Sequence, residues 1–569
     1  MNGRARKSLI VTLTIASVCL TASFLFAQQF GPGPGGGAGP GGTTTTALTN
    51  FETTLFSGSG VCAFCHSNLT DSAGNDVSND AHWRSSMMAN AAKDPLWQAK
   101  IESEVNRNPG LQVVIEDKCS RCHMGMARYQ AITDNTEVGV LNTGFLDAAH
   151  PLHEAAMDGV SCTLCHQVKD DNLGAEESFT GKYVIDDSSL RPNRSIFGPY
   201  DFPLINPMNN NTGFIPISGP QVKDSALCGS CHTLYTPTVD SLGNVVGEFP
   251  EQMTYLEWEH IGTDKLSCQG CHIPEADGPV AISNRPRRLR AREPFGQHHF
   301  VGGNNFMVGI LKDNQADLGI TADTVHLDDT IARTVDQLQQ NTATLAFGEN
   351  SPSLDNGLLT AKVTVSNLAG HKFPSGFPSR RTWLHIKVEN SKGETVFESG
   401  KPNLTTGQIV GNDSDWPDTT FEFEPHHNEI ESNEIASEVD VQLYEAVMLN
   451  TDNNVTWTLL RAASYAKDNR LLPNGFGKES ASDDISVRGA AVTDEDFTDG
   501  SDQVTYKVSG LDKNGKYTVT ADLFFQSVSY PFMENLKKDS SYLVGRFVEQ
   551  YNNADKLPIV LNTIQHIIQ

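Results

Sequence analysis

Positive charge is scarce in this chain. Its 569 residues carry 42 Lys and Arg against 69 Asp and Glu, a formal net charge of −27. Such a surface repels phosphate backbones and anionic membranes, which excludes nucleic acid as a partner and favours solubility and basic partners. Long apolar runs are missing after residue 26, so no later stretch is expected to span a bilayer. Spare cysteine is missing as well. Ten of the eleven cysteines fall in five identical spacings, and the eleventh, Cys19, lies in the apolar N-terminal run. Nothing remains from which to build a disulfide framework.

The cysteines that are present carry the reading. They form Cys62-Ala63-Phe64-Cys65-His66, Cys119-Ser120-Arg121-Cys122-His123, Cys162-Thr163-Leu164-Cys165-His166, Cys228-Gly229-Ser230-Cys231-His232 and Cys268-Gln269-Gly270-Cys271-His272, motifs 1 to 5 in chain order. C-x-x-C-H is the attachment signature of c-type haem. Two thiols three positions apart can add to the two vinyl groups of one porphyrin, and the adjacent His is placed to ligate the iron from the proximal side. Zinc would pair C-x-x-C units into four-ligand sites without requiring a His after each. Disulfides would require no fixed spacing. Five covalent haem c groups are therefore expected, held by the ten cysteines, with the five motif histidines on iron.

A low-spin haem needs a second axial ligand, His or Met. Twelve histidines lie outside the motifs. His82 sits on a helix expected to start soon after Asp80. His153 lies nine residues before Cys162, with His150 one turn earlier as the alternative. His260 ends the apolar-aromatic stretch from Tyr255. Of the adjacent pair His298 and His299, His298 is taken as a ligand and His299 as solvated. His371 stands on a backbone made irregular by Gly370, Pro374, Gly376 and Pro378. These five (His82, His153, His260, His298 and His371) are the expected distal ligands. Arg380 and Arg381 either pair with haem propionates or balance acidic surface. Met87, Met88, Met124 and Met126 are alternative ligands that packing explains equally simply. His426-His427 reads as a solvated pair ahead of a metal site, and the acids Asp494, Glu495, Asp496, Asp499 and Asp502 as a solvated loop ahead of a calcium site.

Residues 1–27 read as a secretory signal: Arg4, Arg6 and Lys7 precede the apolar run and Leu25-Phe26-Ala27 offers a cleavage site. An uncleaved anchor is the alternative. Export to the periplasm or the cell surface is expected, because c-type haem is attached outside the bacterial cytoplasm. Residues 28–46, rich in Gly, Pro and Thr, are a flexible tether. Residues 47–303 should form a haem-cored domain of short helices and loops with few strands, including helices at 80–92, 95–105 and 250–261. Residues 304–357 form a helical bridge, helical over 323–345. Residues 358–569 alternate polar and apolar and predict a β-sandwich-like domain, closed by helices at 540–551 and 557–568.

The haem region resembles the multihaem cytochrome c superfamily, which includes the tetrahaem cytochromes of ammonia oxidisers and the hydroxylamine-oxidoreductase-like proteins. The resemblance rests on Gly159-Val160-Ser161 before motif 3, Tyr235-Thr236-Pro237 after motif 4, Phe249-Pro250-Glu251-Gln252, Tyr255-Leu256-Glu257-Trp258, His298-His299-Phe300-Val301-Gly302-Gly303-Asn304 and Gly370-His371-Lys372-Phe373-Pro374-Ser375-Gly376. It covers most of 60–381. It implies haems stacked within electron-hopping distance and completed by sequence-remote histidines, among them His82, His153, His298 and His371. The chain departs from the family in two ways. It has no C-x-x-C-K motif, so the lysine-ligated haem of pentahaem nitrite reductases has no counterpart, and five motifs are too few for the octahaem pattern.

The expected function is electron transfer between exported redox partners or to an extracellular acceptor. The alternative is an oxidoreductase with one five-coordinate haem acting on a small nitrogen or sulfur oxyanion. A binding role for the β segment, towards carbohydrate, a cell surface or further copies of the chain, is compatible with either.

Overall fold

The structure, a computed structural model, describes residues 47–262, 265–413 and 434–569. The signal, the tether and His426-His427 lie outside the described residues. Among those described, no helix is long and apolar enough to cross a membrane.

In the motif-bearing half the helices are short, and the motifs explain why. Helices Ser59–His66, Gln112–His123, Ser225–His232 and Cys268–His272 each end on a motif histidine, and Cys162–Cys165 is one turn followed by His166. Each C-x-x-C therefore spans one helical turn, which sets its two thiols on one face. Side chains cap the helix starts, two from the adjacent residue and one from far away in sequence. Asp224 accepts from Ala226 N at 2.9 Å, and Ser267 Oγ from Gly270 N at 3.1 Å. Asp158, just before motif 3, accepts from Ser59 N at 2.9 Å and Ser59 Oγ at 2.6 Å, at the start of the motif 1 helix.

The helix expected over 80–92 ends at Arg84. Ser85 Oγ turns back to the Ala81 and His82 carbonyls, offering the backbone an alternative to helical pairing. The helix expected from 250 begins at Thr254, because Val245–Gln252 instead pairs with Leu234–Val239 as a hairpin. Pro237 and Pro250 are tolerated there because this two-stranded sheet has only edges. Helix Pro95–Arg107 falls where expected, whereas Thr324–Asn341 stops short of 345 because Ala343–Phe347 is a strand paired with Leu358–Asn367.

The C-terminal half holds two sheets. One has five strands, in the order Glu434–Ile435, Ser501–Val508, Leu358–Asn367, Ala343–Phe347, with Ser353–Asp355 also on Leu358–Asn367. The other has seven, with Arg381–Asn390 and Tyr517–Gln526 at its centre. The register sets Val504 opposite Val363 in the first and Leu523 opposite Leu384 in the second. All four belong to one buried core, so the sheets face each other across it. The expected closing helix over 557–568 is a correction: Ile559–Ile568 is a strand, antiparallel to Tyr517–Gln526. Its β-branched content (Ile559, Val560, Thr563, Ile564, Ile567, Ile568) suits a pleated edge better than a helix. The other closing helix is present as Tyr542–Asn553.

Residues 46–569 form one compact unit. Phe547 and Tyr551 of that helix share a core with Ala99 from the motif-bearing half and Met307 from the expected bridge. Leu460 from the β half is buried among Ile101, Met126 and Leu164.

Candidate haem-binding cavity

A single cavity of about 2200 Å³ runs through the motif-bearing half, and all ten motif cysteines and all five motif histidines line it. One drug-sized ligand fills roughly 300–1,000 Å³, so this space exceeds a single-ligand pocket. The thiols are unpaired and meet across motifs. The thiols of Cys62 and Cys162, of Cys122 and Cys231, and of Cys228 and Cys268 lie close enough to shift one another's titration. Motif 1 thus lies beside motif 3, and motif 4 beside both 2 and 5. The charge of Cys231 also reaches Cys165, which places motif 3 next to motif 4.

Four motif histidines share one presentation. Nδ1 of His66 lies 2.7 Å from Ile282 O, that of His123 3.0 Å from Ala91 O, that of His166 2.6 Å from Phe197 O and that of His272 2.6 Å from Val301 O. A carbonyl that takes the Nδ1 proton fixes the tautomer and leaves Nε2 with a lone pair for metal. Burial depresses the pKa of His66 and His166, and takes those of His123 and His232 down to about 4. The imidazoles are held neutral, the form that ligates.

The expected distal histidines divide. His298 lines the cavity opposite His166, with ring centroids 6.3 Å apart. Two imidazoles bonded to one metal at about 2.0 Å each have centroids separated by roughly that distance. His371 also lines the cavity, its Nδ1 3.0 Å from Lys372 O. His82 is buried, with Nδ1 unbonded, and packs edge-on against His299 at 4.4 Å. His299 is therefore not solvated as expected. It lines the cavity, and burial, followed by the nearby His82, takes its pKa down to about 3. His153 shows the motif-like presentation, Nδ1 2.9 Å from Phe145 O, but is not among the cavity walls. His260 points to the β half, with Nε2 3.0 Å from Gly477 O and its ring against Phe476.

The loop that presents His371 is welded in place by charges that sequence reading missed. Lys372 Nζ pairs with Asp468 at 2.8 Å, Arg470 bridges Asp468 and Glu257 at 2.8 Å each, and Glu257 accepts from Lys372 N at 3.2 Å. All four side chains are buried. Their spacing in sequence gives no signal of the cluster. Lys372 and Arg470 hold the Asp468 carboxyl far below the usual range despite burial.

Arg380 lines the cavity, and its guanidinium donates to Ser375 O. Arg381 does neither of the things expected of it. It is 1% exposed and forks onto Asp413 at 2.9 and 2.7 Å. Met124 and Met126 are fully buried in the apolar core, whereas Met87 and Met88 reach the cavity. Asp494 and Asp502 are buried rather than solvated; with Asp496 their carboxylate oxygens lie within 4.8 Å of one another, and Asp502 accepts from Tyr444 OH at 2.6 Å. His385 bridges Asp522 and Glu398 on the β sheet.

Glu251 also lines the cavity, facing the Lys100–Glu104 pair and accepting from Thr236 Oγ1. Burial, and then the charge of Glu104, push its pKa to about 7.

No protein-family model matches the sequence, and no curated protein matches it. Among solved structures, a penta-heme cytochrome c552 from Thermochromatium tepidum matches with a TM-score of 0.47 and 15% identity, over 89% of this chain and 98% of that one.

Proposed function

We propose that the chain is an electron-transfer protein carrying five covalent c-type haems. Motif histidines supply one axial ligand each, and His298 and His371 are the cavity-lining candidates for second ligands. One observation carries this reading: a single cavity has ten thiols and five motif imidazoles in its wall, four of the imidazoles oriented by a backbone carbonyl. Haem supplies a one-electron couple when bound; the protein's part is to fix it, orient its ligands and keep water away. The thiol contacts support a path from motif 1 through 3 to 4, where 2 and 5 also meet. Donors and acceptors are exported redox proteins or an extracellular acceptor. Intact mass and a pyridine haemochrome assay test the reading. Five haems per chain are expected; protein holding zinc, or fewer than five haems, defeats it.

The oxidoreductase reading also has an observation in its favour. Among the described cavity walls, the histidines outside the motifs are His298, His299 and His371, against five motif histidines. A high-spin ferric signal with tight cyanide binding in the native protein would establish an open iron. A wholly low-spin spectrum would remove this reading.

A further inference from the structure

Five arginines, Arg285, Arg287, Arg288, Arg290 and Arg292, fall within eight residues that contain no acid, in a chain of net charge −27. Among the described residues none of them makes an ion pair, and the first four are exposed. The loop that carries them is closed at its base, where Val280 and Arg292 exchange backbone hydrogen bonds at 3.0 and 2.8 Å. Its rising limb is fastened to motif 1. Ile282 O takes the Nδ1 of His66, Asn284 N donates to Cys65 O at 2.8 Å, and the Arg285 guanidinium lies 4.2 Å from the Phe64 ring centroid. On its descending limb Arg292 donates to the backbone carbonyl of Phe202 at 3.3 Å, and its guanidinium lies 5.8 Å from the Tyr200 ring centroid. Phe64 is 51% exposed and Phe202 87%. Exposed aromatic side chains interleaved with arginine are the composition of a protein-binding hot spot.

We infer that this loop is a docking surface for an acidic redox protein, and that electrons enter or leave the chain at motif 1. The inference rests on the electron-transfer reading above. Internal carboxylates do not account for the whole strip: Arg285, Arg290 and Arg292 reach the cavity, but Arg287 and Arg288 are not among its walls. Nor does the overall acidity forbid an acidic partner. Screening over about 8 Å at physiological salt hides distant acids from a protein seated on the loop, while the guanidiniums act at contact. The far acids then orient the approach, repelling the partner everywhere except at this face.

The test uses holoprotein and its Arg287→Glu/Arg288→Glu variant, with a reduced plant-type ferredoxin as the acidic donor and dithionite as a small control reductant. In stopped-flow at low salt, the second-order rate with ferredoxin should fall at least about tenfold in the variant, and its salt dependence should flatten. Haem content and the dithionite rate should not change. Equal ferredoxin rates in the two proteins overturn the inference. So does a native protein that exchanges no electrons with ferredoxin, or a strip whose loss affects only binding to anionic vesicles or nucleic acid. A native chain without haem is a different failure, that of the electron-transfer reading.

Discussion

His298 is a cavity-lining candidate for a second axial ligand. Its ring centroid lies 6.3 Å from that of His166, the spacing of two imidazoles on one metal. Burial takes its pKa to about 3, so it stays neutral at any working pH. On the electron-transfer reading, His298→Ala should leave five thioether-held haems attached and convert one from low to high spin in the ferric absorption and electron paramagnetic resonance spectra. An unchanged low-spin spectrum would assign His166 another partner. Glu251 leads to a second prediction at this scale. Its carboxyl titrates near 7 and lies within electrostatic reach of Cys119, whose thiol is pushed to about 12 by burial and then by Glu251 and Glu104. An added electron on a group attached there disfavours ionised Glu251, so reduction should take up a proton. One midpoint potential should then fall as pH rises through 7, by up to about 59 mV per unit for a one-electron couple. Glu251→Gln should abolish that slope in a potentiometric titration; a slope that persists assigns the proton to another group.

The motif helices are built locally, but the start of the motif 1 helix is held from far away. Asp158 joins the motif 1 helix to motif 3, and burial raises its pKa to about 6 in spite of two hydrogen bonds from Ser59. A carboxyl whose folded pKa lies above its unfolded value contributes stability that is fully present below about 4 and is lost as pH rises through 6. Thermal unfolding of the native protein should therefore lose stability relative to Asp158→Asn between pH 4 and 7, by about 2 kcal/mol. Parallel pH curves for the two proteins would mean that Asp158 is solvated in solution. The same division between local and remote decides what the sequence could show. C-x-x-C-H spacing and the alternation in Ser501–Val508 are short-range patterns, and both are visible in the chain. The strand Ile559–Ile568 reads as a helix because its apolar residues also satisfy a helical repeat; pairing with Tyr517–Gln526 chooses the strand. Adjacency to His298 suggests a solvated His299, because the sequence says nothing about His82, more than 200 residues away. The arginine strip is plain in the sequence, but its attachment to motif 1 spans a comparable distance.

At the scale of the molecule, the β half supplies part of the cavity wall, Leu459, Leu460 and Phe525 among it. Helix Tyr542–Asn553 packs on Pro95–Arg107, and Arg107 bonds Asn535 and Asp539 at 3.1 Å each. The buried weld of Glu257, Lys372, Asp468 and Arg470 is the tightest joint, because it ties the motif-side helix Thr254–His260 to strand Ala462–Asp468 through the loop that bears His371. Two cations meet two carboxylates there, with Lys372 wholly buried. A buried ion cluster of this kind adds little net stability over apolar packing, but removing one member leaves an uncompensated charge in the interior. Asp468→Asn strips the shared acceptor from both Lys372 and Arg470. It should cost about 3–5 kcal/mol in denaturant unfolding, and because it loosens the residue next to His371, it should also turn one haem partly high-spin at denaturant concentrations below the global transition. An Asp468→Asn protein that loses stability while every haem stays low-spin up to the global transition would place His371 outside the ligand set, and would leave the weld as a purely structural joint between the two halves.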